Sequence, residues 1–139
     1  MRILIIDDDQ RHGESLVDLL ASRGHEAYFA PTLSEADWLT GLFRFDISVI
    51  DFDMPQASGP EVAHRLIERF PGLEVLIMSA HLASGGRRAA LGKLPFLSKP
   101  IEADTLLAFL ERVVARRAGS PLVVRESFAL APYRRARER

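Results

Sequence analysis

Short runs of consecutive apolar residues alternate along the chain with stretches whose apolar residues recur at helical spacing. Ile3 to Ile6 is the first run; it is rich in β-branched residues, as expected of a strand covered on both faces, and it stops at Asp7, Asp8 and Asp9. A helix is predicted next, with Leu16, Val17, Leu19 and Leu20 inward and Gly24 as its stop. His25 to Ala30 reads as a second strand. Thr32-Leu33-Ser34-Glu35 is a capping box, opening a helix that carries Ala36, Leu39 and Leu42 and ends near Phe43. Asp46 to Asp51 is the third strand. Ser58-Gly59-Pro60-Glu61 repeats the capping spacing with proline in the first turn, so a third helix runs to about Phe70 with Val62, Leu66 and Ile67 inward.

Pro71-Gly72 ends that helix, and Val75 to Met78 forms a fourth strand that meets Ser79. The fourth helix has the weakest pattern. Gly85 and Gly86 open it poorly, at roughly 1–2 kcal/mol relative to alanine inside a helix, and Ala89, Ala90 and Leu91 are its main helical signal. Pro95 to Ser98 is a short fifth strand, followed by Lys99-Pro100. The last helix is clear: Leu106, Leu107, Phe109, Leu110, Val113 and Val114 fit the i, i+3, i+4, i+7 pattern.

Strand and helix alternating in this way predict an α/β fold, a parallel sheet with right-handed crossovers and helices on both faces. All strand carboxyl ends then share one edge, the place where open α/β sheets bind ligands. That edge collects Asp7, Asp8, Asp51, Ser79 and Lys99. A carboxylate ending a buried run is costly to desolvate unless something pairs with it, and carboxylates sharing a crevice repel, so a cation is expected among them. An oxygen-only ligand set suits Mg²⁺, while lysine and a hydroxyl suit phosphoryl oxygens. The pattern points to phosphoryl chemistry on a carboxylate.

On these residues the chain resembles the receiver domain of two-component response regulators. The matching motifs are Asp7-Asp8, Asp51-Phe52-Asp53-Met54-Pro55, Ile77-Met78-Ser79-Ala80 and Phe96-Leu97-Ser98-Lys99-Pro100, in order and on the right strands. The resemblance implies a doubly wound, flavodoxin-like (βα)5 sheet of order 2-1-3-4-5 over residues 1–118. It further implies that Asp51 accepts a phosphoryl group from a sensor histidine kinase or a phosphotransfer protein. Asp7, Asp8, Asp51 and the backbone carbonyl of Asp53 would bind Mg²⁺, with Asp8 as the more direct ligand of the two leading acids. Ser79 and Lys99 would hold phosphoryl oxygens, across a cis Lys99–Pro100 peptide. Phe96, a core aromatic, would switch as Ser79 moves and so reshape the partner face of helix four, strand five and helix five. Such a protein is not a conventional enzyme, since it catalyses only its own phosphotransfer and autodephosphorylation.

The chain departs from the family pattern in places. Serine stands at 79 where threonine is commoner, and Ser79 and Lys99 are 20 residues apart, closer than usual, which points to a shortened or loosened helix four. Asp53 and His81 each lie two residues beyond a site residue, at positions that tune water access in the family.

Composition narrows the alternatives. At 139 residues the length fits one domain, and a net charge of −1 implies no bulk attraction to nucleic acid or membrane. Cysteine is absent, which excludes disulfides and thiolate metal sites. No apolar run reaches the ~20 residues of a membrane helix, and the first is too short for a signal peptide, so a cytoplasmic location is expected. His12, His25, His64 and His81 lack metal-ligand spacing and read as surface or loop positions. Residues 119–139 are expected to form a tail, disordered or docking, that carries Val123-Val124, an apolar stretch from Phe128 to Tyr133, and arginines at 125, 134, 135, 137 and 139. Its apolar stretch would dock on its own domain, on a second copy as a homodimer, or on a partner. Three rivals stand beside a single-domain signalling receiver: the receiver part of a longer DNA-binding regulator, a constitutive receiver-like scaffold, and a metal-dependent phosphohydrolase.

Overall fold

The computed structural model describes residues 1–81 and 85–118. In chain order the elements are β1 (Arg2–Ile6), α1 (Gln10–Ser22), β2 (Glu26–Ala30), α2 (Leu33–Leu42), β3 (Ile47–Asp51), α3 (Gly59–Arg69), β4 (Glu74–Ser79), α4 (Gly85–Leu91), β5 (Phe96–Ser98) and α5 (Ala103–Arg117). The strands form one sheet in the order β2-β1-β3-β4-β5, and every pairing is parallel. This is the parallel α/β sheet expected of the alternating pattern, in the flavodoxin-like order that the resemblance implies.

Strand residues divide between two cores because side chains alternate across a sheet. Leu4, Ile6, Ile50, Val75 and Ile77 face one way and pack with Ala36 and Leu39 of α2 and Val62 and Leu66 of α3. Ile3, Ile5, Ile47, Val49, Leu76 and Met78 face the other way and meet Leu16 and Leu20 of α1 and Leu106, Phe109, Leu110 and Val113 of α5. Both helix starts marked in the sequence are capped as expected. Thr32 accepts from the Glu35 N–H at 3.1 Å and Ser58 from the Glu61 N–H at 3.3 Å. Two expectations for inward faces fail: Leu42 is 50% exposed and Val114 41%. Leu42 is the last residue of α2, and Val114 is turned about 100° from the fully buried Val113.

At the amino edge of the sheet, polar side chains are buried together. Arg2 is 1% exposed. Its guanidinium donates to Glu26 at 3.1 Å and to the Arg44 carbonyl at 2.7 Å. Asp46 accepts from the Arg2 backbone N–H at 2.7 Å and from Arg117 at 2.9 Å, and Arg117 also reaches the Gly72 carbonyl. This network ties the end of α5 to the starts of β1 and β3.

One glycine bears directly on the carboxyl edge. A Cβ on Gly59 would lie 2.6 Å from the Asp51 carbonyl oxygen and 2.8 Å from the Phe52 Cα. The start of α3 therefore presses on the backbone that ends β3, and the Gly59 N–H donates to the Phe52 carbonyl at 2.8 Å. Gly59→Ala should destabilise the fold by about 1–3 kcal/mol, because neither partner can yield without moving backbone. Gly41→Ala, on the open side of α2 with nothing within 4 Å of the added methyl, should stabilise it by about 0.4–1 kcal/mol. Urea unfolding of the two variants checks the contrast.

Candidate functional site

β1, β3 and β4 deliver their last residues to one edge, and β5 leads into the lysine that completes it. Asp7 follows β1, Asp51 ends β3, Ser79 ends β4, and Lys99 follows β5. Parallel pairing fixes their neighbourhood: Ile6 is in register with Ile50, Asp51 with Met78, and Ser79 with Ser98. Asp7, Asp51 and Ser79 are all buried, whereas Asp8 and Asp53 are exposed.

Lys99 is the hinge of the charge arrangement. Its Nζ lies 3.3 Å from Asp7 Oδ2 and 3.3 Å from Asp51 Oδ1. Asp7 is held from two further directions: its Oδ1 accepts from the Asp9 N–H at 3.0 Å, and its Oδ2 is 2.6 Å from His12 Nδ1. Asp51 Oδ1 accepts from the Asp53 N–H at 3.4 Å. The Ser79 hydroxyl accepts from the His81 N–H at 3.2 Å. The Lys99–Pro100 peptide is cis.

Burial acts on the two buried acids alike, but their partners separate them. Burial raises the pKa of Asp7; the His12 hydrogen bond, the Asp9 N–H and Lys99 outweigh it, and the net shift is downward. Burial also raises Asp51, repulsion from Asp7 adds to it, and Lys99 offsets only part, so the net shift is upward. Burial lowers Lys99, but Asp7 and Asp51 more than reverse that and hold it protonated. The edge therefore carries one firmly ionised acid, one acid under electrostatic pressure and one firm cation.

Asp7, Asp8 and Asp51 each offer a carboxylate oxygen within 4.8 Å of one another. Hard oxygen donors at that spacing fit a small divalent cation such as Mg²⁺, which binds through one or two carboxylates and keeps several waters. The N-cap of α1 is Asp9, whose carboxylate accepts from the His12 N–H at 3.1 Å. Asp7 and Asp8 are thereby left to face the edge.

Two sequence expectations are corrected here. Phe96 is no core aromatic: it is 37% exposed, with the Arg88 guanidinium 5.4 Å from its ring centre. Phe96 is in register with the buried Ile77 and so shares its sheet face, but it lies on a three-residue strand at the edge of the sheet, where less packs over it. His12 is no plain surface histidine: it lies in the first turn of α1, half-buried, on Asp7. Its signal in the sequence was the spacing from Asp9, since a residue three past an N-cap folds back over the strand end. Arg87 of α4 was also missed, and it forks onto Asp53 at 2.7 and 3.0 Å; α4 is too short and glycine-rich for its facing to be read from periodicity.

The chain matches the profile of the response regulator receiver domain over residues 3–111. It belongs to that family. A response regulator receiver protein of Anaeromyxobacter sp. (strain Fw109-5) is 35% identical over 108 residues, which span 76% of this chain and 45% of that protein. The cell cycle response regulator CtrA of Brucella ovis is 30% identical over 121 residues, 86% of this chain and 52% of that protein. The chain thus spans about half the length of the curated relatives it matches. Among solved structures, the response regulator TrrA of Thermotoga maritima, in complex with Mg²⁺ and BeF, superposes with a TM-score of 0.68 at 25% identity, over 81% of this chain and 97% of that one. The receiver is therefore a module of two-component signalling. Among its described residues no helix is long and apolar enough to cross a membrane.

Burial and repulsion from Asp7 raise the Asp51 pKa, so the ionised form of Asp51 opposes folding. Asp51→Asn is expected to raise stability by about 1 kcal/mol in metal-free buffer at pH 7, the scale of gains at strained functional positions. A carboxylate with a raised pKa favours the folded state only when protonated. The difference between wild type and variant should therefore shrink as pH falls through the raised Asp51 pKa. Urea unfolding with chelator, at neutral and acid pH, measures both.

Proposed function

We propose that the receiver accepts a phosphoryl group on Asp51 from a histidine kinase or a phosphotransfer protein, and that the modified chain changes its protein contacts. The observation that carries this reading is the position of Lys99, 3.3 Å from both Asp51 and Asp7, at an edge that also holds the Ser79 hydroxyl. In the transfer an Asp51 oxygen attacks phosphorus, the N–P bond of the phosphohistidine breaks, and the imidazole leaves with its electron pair. Lys99 is placed to follow the negative charge from the free carboxylate onto a phosphoryl oxygen. Ser79 accepts from His81, which leaves its own proton to be directed at another. Asp7, Asp8, Asp51 and the Asp53 carbonyl would hold Mg²⁺. That ion would offset the crowded acids and the incoming phosphoryl charge. His12 and the Asp9 N–H keep Asp7 ionised and oriented for that task.

The expected output is a population shift. The phosphoryl group brings about −1.5 to −2 of charge, and it biases the fold by its differential contacts with two states, typically 1–3 kcal/mol. Phe96 is the proposed switch aromatic, moving inward from its surface position when Ser79 shifts toward the phosphoryl group. The face of α4, β5 and α5 is the proposed partner surface, for another protein or a second copy of this chain. Residues 1–118 would act as the receiver unit and 119–139 as its tail; the tail lies outside the described residues.

A second reading is favoured by the span of the relatives: the chain covers 45% and 52% of two of them. It would then be the receiver part of a longer, DNA-binding regulator. The natural reading frame decides between the two.

Incubation with acetyl phosphate and Mg²⁺ should add one phosphoryl mass, mapped to Asp51, and Asp51→Asn should abolish it. An undiminished adduct in Asp51→Asn would falsify the assignment. Lys99→Ala should slow labelling roughly 10–100-fold, the scale of losing one oriented charge-stabilising donor. Truncation after Gly119 should lower either the mass in solution or the capture of partners; if neither changes, the tail has no part in assembly.

A further inference from the structure

Arg87 makes a site-edge contact that the proposed chemistry leaves unexplained. It comes from α4, across the edge from the acids. Its two Nη atoms straddle the Asp53 carboxylate at 2.7 and 3.0 Å. Its guanidinium carbon also stacks 4.7 Å from the centre of the Phe52 ring. Phe52 and Asp53 follow Asp51 directly, so one cation is fixed to the two residues that come after the proposed phosphoacceptor. A guanidinium held by a bidentate pair and an aromatic face is oriented, not merely nearby.

The charges around the edge show what this contact achieves. Asp7, Asp8, Asp51 and Asp53 contribute carboxylates, and Lys99 is engaged by Asp7 and Asp51. Asp53 is exposed, as Asp8 is, whereas Asp7 and Asp51 are buried. An anionic donor approaching Asp51 would be repelled by an unpaired carboxylate at Asp53. Clefts lined by one sign of charge change the encounter rates of charged ligands by about 10–10³. Arg87 cancels this outer charge while leaving the inner acids for the metal.

We propose that Arg87 is a positioning residue for phosphoryl transfer: by pairing with Asp53 it neutralises the mouth of the site and admits anionic phosphodonors to Asp51. The proposal rests on Asp51 being the phosphoacceptor. It concerns approach, so it predicts a rate that responds to salt, which a purely structural role for the ion pair does not.

The test is the initial rate of labelling of the full chain by acetyl phosphate at saturating Mg²⁺, read by intact mass with the adduct mapped, at low salt and at ~0.5 M salt where exposed charges are screened. Arg87→Gln should label about three- to tenfold more slowly than wild type at low salt, with the gap closing at high salt. Arg87→Lys, which keeps the charge and loses the fork, should recover part of the rate. Asp53→Asn with Arg87 intact should label at least as fast as wild type, and the double variant Arg87→Gln/Asp53→Asn should return towards the wild-type rate. Exposed ion pairs add little to stability, so all these variants should melt close to wild type. Equal rates for Arg87→Gln and wild type overturn the proposal. So does a slowing that salt leaves unchanged or that Asp53→Asn fails to relieve, and so does faster labelling, which would make Arg87 an obstruction. Persistent labelling of Asp51→Asn would instead remove the phosphoacceptor reading itself, so the two failures are separable.

Discussion

Lys99 between Asp7 and Asp51 is the interaction on which the rest of the carboxyl edge depends. Two buried carboxylates side by side are unstable against protonation or separation unless positive charge lies between them. One lysine can balance one of them. The sheet resolves the remainder by treating the acids unequally. Asp7 receives His12, the Asp9 N–H and Lys99 and stays ionised below its ordinary range, while Asp51 receives less help and is pushed up. The shortfall sits on the residue proposed to react. A carboxylate short of compensation gains more from an arriving cation and phosphoryl donor than one already satisfied.

The opposite edge of the sheet shows what full compensation looks like. There Arg2 is enclosed by Glu26, the Arg44 carbonyl and the Phe43 ring, and Asp46 is shared by the Arg2 backbone and Arg117. Charges are buried at both ends of the strands, but only at the carboxyl end are carboxylates in excess. The amino edge locks α5 to β1 and β3. That rigidity gives the carboxyl edge a fixed frame, so that strand register rather than side-chain adjustment sets the spacing of Asp7, Asp51 and Ser79.

Most of this frame was legible in the sequence because it depends on period. Buried strands read as unbroken apolar runs, and capping residues marked the starts of α2 and α3 three residues ahead of their glutamates. Lys99 and Asp51 were legible for a different reason: a charge at the end of a buried run demands a partner, and a parallel sheet says where the partner must be. What period could not show was facing at short or terminal elements. Phe96 lies on a three-residue edge strand, too short for alternation to tell in from out. Leu42 and Val114 follow helical spacing, but Leu42 is the last residue of its helix and Val114 lies beside the buried stripe of α5. His12 depended on the direction of a first helical turn, and Arg2 on a network that closes across residues far apart in the chain.

α4 draws these threads together. Of its described side chains only Leu91 is buried; Arg88, Ala89 and Ala90 are exposed. The core therefore holds this helix weakly, and weakly held elements are the ones that move at low free energy. Its remaining ties are polar and face the functional edge: Arg87 on Asp53 and Phe52, and Arg88 over Phe96. Adjacent residues of one short helix thus touch the loop after Asp51 and the aromatic proposed to switch. A change of charge at Asp51, as proposed, would act on Arg87 through the loop to which it is fixed. Because little apolar burial opposes a shift of α4, the modest differential contacts available to a phosphoryl group are of a size that can move it. The glycines that weaken the helical pattern at 85 and 86 then have a physical use, since a helix packed as firmly as α3 would absorb the same perturbation without response.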